Sequence, residues 1–270
     1  MGAGNEGIRV WPVPPKTGGA LRFEVKEMIE PTPVQAAAVD AMWEDLRQDN
    51  PRLYDGPVLL ADRHSVKHGR LLCFRGSYKH LAVSAAAAAM KPANVTPPPF
   101  LALGVQGLVV GKDADGDEVV LMGLRSSETR IYGGLWENAP SGTVPPPPIE
   151  QDYLDWPEVI TALRAEGMEE LGINLDAASV SWIAILEDRV AGSMDVVLRV
   201  ELGRVDARRL PCPIHEGRWE YVDAAWVPVK RLEAWITGGA AVSPPTRALF
   251  AHLGWTEQAG GAQSAVSTPA

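Results

Sequence analysis

Ala162-Leu163-Arg164-Ala165-Glu166-Gly167-Met168-Glu169-Glu170-Leu171-Gly172-Ile173 is the stretch whose reading decides the fold. At about 100° per residue, Ile160, Leu163, Gly167 and Leu171 share one arc roughly 80° wide that can pack on a sheet. Glu166, Glu169 and Glu170 occupy the neighbouring arc at i, i+3 and i+4. The spacing predicts a helix over 157–171, with Gly172 where a C-cap needs a left-handed residue. Carboxylates on one stripe repel, by about 0.2–0.5 kcal/mol per i,i+4 pair when exposed. A hard cation on the stripe removes that penalty, because Mg²⁺ is held through carboxylates, waters and substrate phosphates. Such a metal can clamp a diphosphate, offset its charge and activate a water. The competing reading is a solvated helix face rich in glutamate, and the helix alone does not choose between them.

The surroundings do. Upstream lies Gly134-Leu135-Trp136-Glu137-Asn138-Ala139-Pro140-Ser141-Gly142-Thr143-Val144. Together with 166–173 it resembles the Nudix box, G-x5-E-x7-R-E-U-x-E-E-x-G-U with U aliphatic. Glu220-Tyr221-Val222-Asp223-Ala224-Ala225-Trp226-Val227-Pro228 is similar to the late strand of the same fold. The resemblance covers roughly residues 100–255. It implies an α/β/α sandwich around a mixed sheet and hydrolysis of the diphosphate linkage of a nucleoside diphosphate derivative. It implies Glu169 and Glu170 as paired metal ligands, Glu166 as a ligand or base, and the Gly142 carbonyl as a further ligand. Mg²⁺, or Mn²⁺, is the implied cofactor, and such chains can pair as homodimers. Three departures stand out. The arginine of the pattern is Ala165, and Arg164 points about 100° elsewhere. The aliphatic position after Glu166 is Gly167, at a cost of roughly 1 kcal/mol relative to Ala in mid-helix. Ala165 lies 23 positions after Gly142 where the pattern allows 14, so the loop carries 9 extra residues. Spacing therefore leaves the early box glutamate unplaced, and Glu150 is the nearest candidate.

A second resemblance covers Trp43 to Pro57: Trp43-Glu44-Asp45-Leu46-Arg47-Gln48-Asp49-Asn50-Pro51-Arg52-Leu53-Tyr54-Asp55-Gly56-Pro57. It is similar to the W-x6-N-P-x-L-[FY]-[ND]-G-P signature that precedes the Nudix domain in UDP-glucose/UDP-galactose hydrolases and plant relatives. What it implies is a nucleotide sugar as substrate. Physically, Asn50-Pro51 ends a helix and Tyr54-Asp55-Gly56 turns into a strand.

Outside these stretches the organisation is read from periodicity and breakers. Residues 1–20 are rich in Gly and Pro and read as irregular. An N-terminal α/β subdomain spans 21–98, ending in a proline-rich linker over 94–99. The second domain spans 99–256, and the Gly/Ser/Ala tail 257–270 reads as disordered. Strands are expected near 21–26, 58–61, 71–74, 102–110, 118–124, 180–186, 194–202 and 221–227. Helices are expected from 33 to about 48, from 84, near 229–235 and near 245–253. The turn Lys112-Asp113-Ala114-Asp115-Gly116-Asp117 looks like a calcium loop but lacks the bidentate glutamate at the twelfth position, so it reads as a hairpin.

Among side-chain candidates, Tyr132 and Trp136 flank the loop entering the box, where an aromatic can stack on a nucleobase. Glu216 and Glu220 precede the late strand, where a further acid can act on metal or substrate; Glu187 and Asp188 end another strand. His64, His68 and His80 with Asp62 show no spacing that fixes a zinc site. No G-x-S-x-G or P-loop is present, which excludes those two chemistries. The net charge of -9 argues against a nucleic-acid binder, and no helix-turn-helix is evident. Two distant cysteines and the lack of an apolar leader point to a reducing, cytoplasmic setting without membrane contact. The favoured substrate is a nucleotide sugar, UDP-linked first. ADP-ribose or a nucleoside triphosphate is the nearer alternative. A Nudix-fold sensor that binds a nucleotide without turnover is the alternative from another class.

Overall fold

The computed structural model describes residues 7–12, 22–28, 32–51, 53–68, 70–89, 100–209 and 220–257. The N-terminal third contributes β1 (Ile8–Pro12), β2 (Arg22–Lys26), α1 (Pro33–Asp49), β3 (Pro57–Asp62), β4 (Arg70–Ser77) and α2 (Tyr78–Ala89). Next come the long hairpin β5 (Phe100–Lys112) and β6 (Glu118–Arg125), and three short strands: β7 (Trp136–Asn138), β8 (Ser141–Thr143) and β9 (Tyr153–Leu154). Helix α3 (Trp156–Glu166) leads to β10 (Ser179–Asp188), β11 (Ser193–Arg204) and β12 (Tyr221–Pro228), then α4 (Leu232–Thr237) and α5 (Pro244–His252).

One mixed sheet joins the twelve strands of the described residues, in the order β1-β10-β11-β5-β3-β4-β2-β9; β6 and β8 also pair with β5, and β7 and β12 pair with β6. The β11–β5 and β2–β4 pairs are parallel and the others antiparallel. Strand β5 lies at the centre and is apolar over nearly its whole length because both of its faces are covered. On one face Leu103, Val105 and Val109 pack with Val159, Ala162 and Leu163 of α3. On the other, Leu108 and Val110 pack with Leu232 of α4 and Leu249 and Phe250 of α5. Helices on both faces make the expected α/β/α sandwich. No helix among the described residues is long and apolar enough to cross a membrane.

The expected separation into an N-terminal subdomain packed beside the second domain takes a different form. Strand β3 pairs directly with β5 through Leu60↔Ala102 and Ala61↔Leu101. Phe23, Leu59 and Leu71 then share one core with Leu103 and Leu163. Where 1–20 reads as irregular, residues 8–12 form β1, paired antiparallel with β10. Its glycine- and proline-rich flanks hide a strand that exists only because β10 offers an open edge. The linker over 94–99 and the tail beyond 257 lie outside the described residues.

The second helix begins at Tyr78 rather than at 84 because its start is supported from elsewhere in the chain. Asp55 Oδ1 accepts the Lys79 N–H at 2.9 Å, and the Gly56 carbonyl accepts the Tyr78 N–H. The Asn50–Gly56 segment thus sets where α2 starts. Trp43 packs edge-on against Tyr78 at 6.3 Å between ring centroids. The aspartate turn after β5 is a hairpin: Asp113 Oδ1 accepts the N–H groups of Asp115 and Asp117. Cys73 is buried, which pushes its thiol up to about 12 and keeps it protonated. Cys212 lies outside the described residues.

The 9 extra residues between Gly142 and α3 have a structural role. Residues 153–154 form β9 on the free edge of β2. Arg75 of β4 reaches across with its side chain 13% exposed. It donates to the Pro147 carbonyl, to the Pro148 carbonyl at 2.7 Å and to the Gln151 carbonyl at 2.8 Å, and pairs with Glu27 at 2.9 Å. The insertion therefore ties the glutamate helix to the N-terminal strands.

Candidate active site

Helix α3 is launched by Asp155, whose N–H donates to Glu158 at 2.6 Å, half of the reciprocal pairing of a capping box. The α-helix stops at Glu166, and Gly167–Leu171 form a π-helical turn closed by Gly172 at φ +66°. The expected helix over 157–171 is present, but its last turn is wider. Single π turns occur often at functional sites. Gly167 is explained by proximity: a Cβ there would lie 2.9 Å from Leu175 Cδ1. The glycine lets the 173–175 segment fold back on the helix, and the hydrogen bond from Ile173 N–H to the Gly167 carbonyl locks it.

The π turn separates the three glutamates. Glu169 stays exposed, Glu166 is half-buried, and Glu170 is carried inward to 8% exposure. Glu170 Oε2 accepts the Ser141 N–H of β8 at 2.9 Å, and the Glu220 carboxyl is its side-chain hydrogen-bond partner. Glu166 lies over the bare backbone of Gly142, where a Cβ would meet its Oε1 at 1.9 Å. The structure therefore brings together Glu166, Glu170, Glu220 and Gly142, with Glu169 at the rim. Arg164 bonds the Asp176 carbonyl at 3.0 Å and Ala165 is exposed, so neither takes the place of the arginine in the pattern. Glu150 is exposed on the insertion, away from this cluster.

Among the described residues, no lysine or arginine forms an ion pair with any of the four glutamates. Burial, then the charges of Glu169 and Glu220, push Glu166 up from 4.5 to about 7. Burial and then Glu220 hold Glu170 well above the usual carboxylate range. The donor set is all oxygen and carries excess negative charge, which suits a hard divalent cation. Among the described residues no three such side chains already converge as a closed ligand group. Mg²⁺ does not demand one, since it keeps several waters and takes one or two carboxylates plus phosphate oxygens.

The shifts fix a sign. The folded protein holds protons that the unfolded chain releases between about pH 4.5 and 7, so in chelator its stability falls as pH rises through that window. Mg²⁺ is expected to raise the melting temperature more at pH 8 than at pH 5. A chelated protein whose melting temperature is flat or rises from pH 5 to 7 would remove the carboxylate cluster as described.

A cavity of about 410 Å³ opens beside Glu166, Gly142 and Glu220. Arg125, from the end of β6, lines it and pairs with Glu137 at 2.6 Å; Glu137 also accepts the Tyr221 hydroxyl at 2.7 Å. The Arg125 Nε is buried without a hydrogen-bond partner among the described residues. Tyr132, at φ +58°, lines the cavity and donates its hydroxyl to Asp188 at 2.8 Å. Such a backbone costs about 1–3 kcal/mol and persists where its surroundings hold it. Trp136 is placed differently: it packs edge-on against Trp235 at 5.4 Å and does not line the cavity. Glu216 lies outside the described residues. Asp188 lines the cavity, but it is spent on the 190–191 backbone and Tyr132, while Glu187 pairs with Arg189 away from it. The α2 residues Tyr78 and Leu81 complete one wall. No zinc-type cluster forms around His64 and His80 among the described residues.

The sequence reading missed Arg125, Glu137, Gln106 and Asp195 as cavity residues. For Gln106 and Asp195 a signal existed. Gln106 interrupts a nearly continuous apolar run, and Asp195 stands between Met194 and the apolar Val196–Leu198; a polar residue at such a place needs a partner.

Neither a protein-family model nor a curated protein sequence matches this chain. Solved structures similar to it include a MutT protein from Methanosarcina mazei Go1, at 18% identity and TM-score 0.37, covering 56% of this chain and 91% of that one. A NUDIX hydrolase from Alicyclobacillus acidocaldarius is 17% identical at TM-score 0.38, over 55% and 89%. The NUDIX domain of Shewanella oneidensis NrtR, complexed with ADP ribose, is 16% identical at TM-score 0.40, over 60% and 92%. A likeness of that depth decides neither family nor chemistry, so the reading of the site stands on its own residues.

Proposed function

We propose that this chain is a divalent-metal-dependent hydrolase of the Nudix type. Its reaction is cleavage of the diphosphate linkage of a nucleoside diphosphate derivative, a nucleotide sugar first, to a nucleoside monophosphate and a sugar phosphate. The observation that carries this is the carboxylate cluster of Glu166, Glu170 and Glu220, which makes no ion pair with a lysine or arginine among the described residues, beside a cavity that also holds Arg125. Glu169, Glu170 and Glu166, with the Gly142 carbonyl and Glu220, would hold Mg²⁺ or Mn²⁺. When bound, the metal supplies a hydroxide from water and offsets charge developing on phosphorus.

The residues of the chain account for the rest. Arg125, kept in place by Glu137, offers its remaining donors to a phosphate oxygen. Glu166, lying over Gly142 on the cavity wall, is placed to serve as a ligand or as the base for the attacking water. Tyr132 stands on the wall where a base or sugar ring would lie. Trp136 has no such role, since its ring is occupied by Trp235. The N-terminal helix α2 supplies a wall of the cavity, which supports the link between the Trp43–Pro57 signature and substrate choice.

The test is release of phosphate-bearing products with Mg²⁺ from UDP-glucose, ADP-ribose and a nucleoside triphosphate panel, beside Glu169→Gln and a chelator control. Turnover of one class, abolished by both, is the expected result. No turnover of any, with metal-dependent nucleotide binding retained, replaces the hydrolase with a sensor.

A further inference from the structure

Asp195 of β11 and Gln106 of β5 line the cavity but take no part in the cluster just described. Strand register places Asp195 beside Gly104, and Gln106 two positions on from Gly104 along the same face of β5. A Cβ at Gly104 would lie 1.9 Å from Asp195 Oδ1, so the carboxyl rests on bare backbone. The Ser193 hydroxyl donates to its other oxygen at 2.9 Å. Packing and this hydrogen bond together fix its direction. No lysine or arginine pairs with Asp195 among the described residues.

Gln106 is the second, independent observation. It is 5% exposed in a strand that is otherwise almost wholly apolar, and its enclosed carboxamide oxygen has no hydrogen-bond partner among the described residues. A buried acceptor left unmade is costly, and a ligand that turns the carboxamide toward its own hydroxyl removes the cost. Beside the cavity stand a carboxyl whose direction is fixed and a carboxamide whose oxygen is enclosed. A carboxyl and a carboxamide both exchange hydrogen bonds with hydroxyl groups; burial pushes Asp195 up to about 7, and above that pH its charge opposes the oxygens of a phosphate.

We propose that Gln106 and Asp195 form the subsite for the hydroxyl-bearing leaving group, and select a nucleoside diphosphate joined to a neutral polyol over a nucleoside triphosphate. This rests on the diphosphate-hydrolase reading of the neighbouring cluster. The hydroxyls could instead be those of the nucleoside ribose. That source is common to both substrate kinds, which lets one experiment separate the two.

The experiment is calorimetric binding of UDP-glucose, ADP-ribose, UTP and ATP with Mg²⁺, in a Glu169→Gln background so that bound ligand is not consumed. The background protein is expected to bind UDP-glucose or ADP-ribose at least tenfold tighter than its matching triphosphate. Adding Asp195→Asn or Gln106→Leu is expected to weaken the sugar-bearing ligand about 10–100-fold and leave the triphosphate within about threefold. Equal loss for both ligands identifies the nucleoside ribose, or a merely structural role, and overturns the proposal. So do no change in either variant, tighter triphosphate binding in the background protein, and no binding of any ligand. The variants lie on different strands, so misfolding of one leaves the other decisive. Binding as expected, with no hydrolysis by the native protein, sinks the hydrolase and leaves the subsite standing.

Discussion

Glu170→Gln is expected to give a metal-free protein more stable than the native one, and a hydrolase slower by about 10²–10⁴-fold, several kcal/mol of metal-assisted stabilisation at 1.36 kcal/mol per tenfold. Glu170 is nearly buried, faces Glu220, and is without a basic partner among the described residues. Ionised, it pays desolvation and like-charge repulsion together. Glutamine has the same shape and can still accept the Ser141 N–H. A gain on the order of 0.5–2 kcal/mol follows, the usual yield of one relieved site, read as a melting temperature several degrees higher at pH 8 in chelator. Mg²⁺ should raise the melting temperature of the variant less than that of the native protein. Glu150→Gln, on the exposed insertion, should change neither property. A Glu170→Gln protein that is less stable in chelator, or that keeps native turnover, would refute the strained-carboxylate reading.

Arg75→Met is expected to cause the largest loss of stability, about 3–5 kcal/mol, because several hydrogen bonds from one mostly buried guanidinium are lost together. The substitution keeps an aliphatic stem but abandons three carbonyls of the insertion and the carboxylate of Glu27. At about 2–4 °C per kcal/mol for a chain of this size, the melting temperature should fall by roughly 10 °C. Arg75→Lys should fall between the two, since a single ammonium cannot serve the fan of acceptors that a guanidinium meets. Backbone hydrogen exchange should rise first over 147–154, because those residues are held to the sheet by Arg75 and by the short β9 pairing. A loss under about 1 kcal/mol would show that the insertion is held by something else.

The periodic elements were legible because hydrophobic period carries them. Strands β5, β6, β10, β11 and β12 and helices α1 and α3 lie within a few residues of where apolar spacing puts them. What escaped was non-local. Strands β7, β8 and β9 are two or three residues long, too short for any period, and exist because a neighbouring strand presents free N–H and C=O groups. The start of α2 escaped because Asp55, more than 20 residues upstream, supplies its cap. Trp136, a stacking candidate by position, turned out to be claimed by Trp235 from a helix about 100 residues later.

The glutamate stripe, its Gly172 terminus, the oxygen-only donor set and the mixed α/β class were properties of the sequence by itself, because they follow from side-chain type and spacing along one helix. Which glutamate is buried, which backbone it meets and which walls face it were decided only by tertiary structure. Gly142, Glu220, Arg125, Gln106 and Asp195 come from five segments spread over more than 100 residues, and their convergence is fixed by strand register and by the π turn at the end of α3. Burial and charge proximity act through space, so the pKa shifts and the unpaired amide that give this cavity its chemistry have no counterpart in linear spacing.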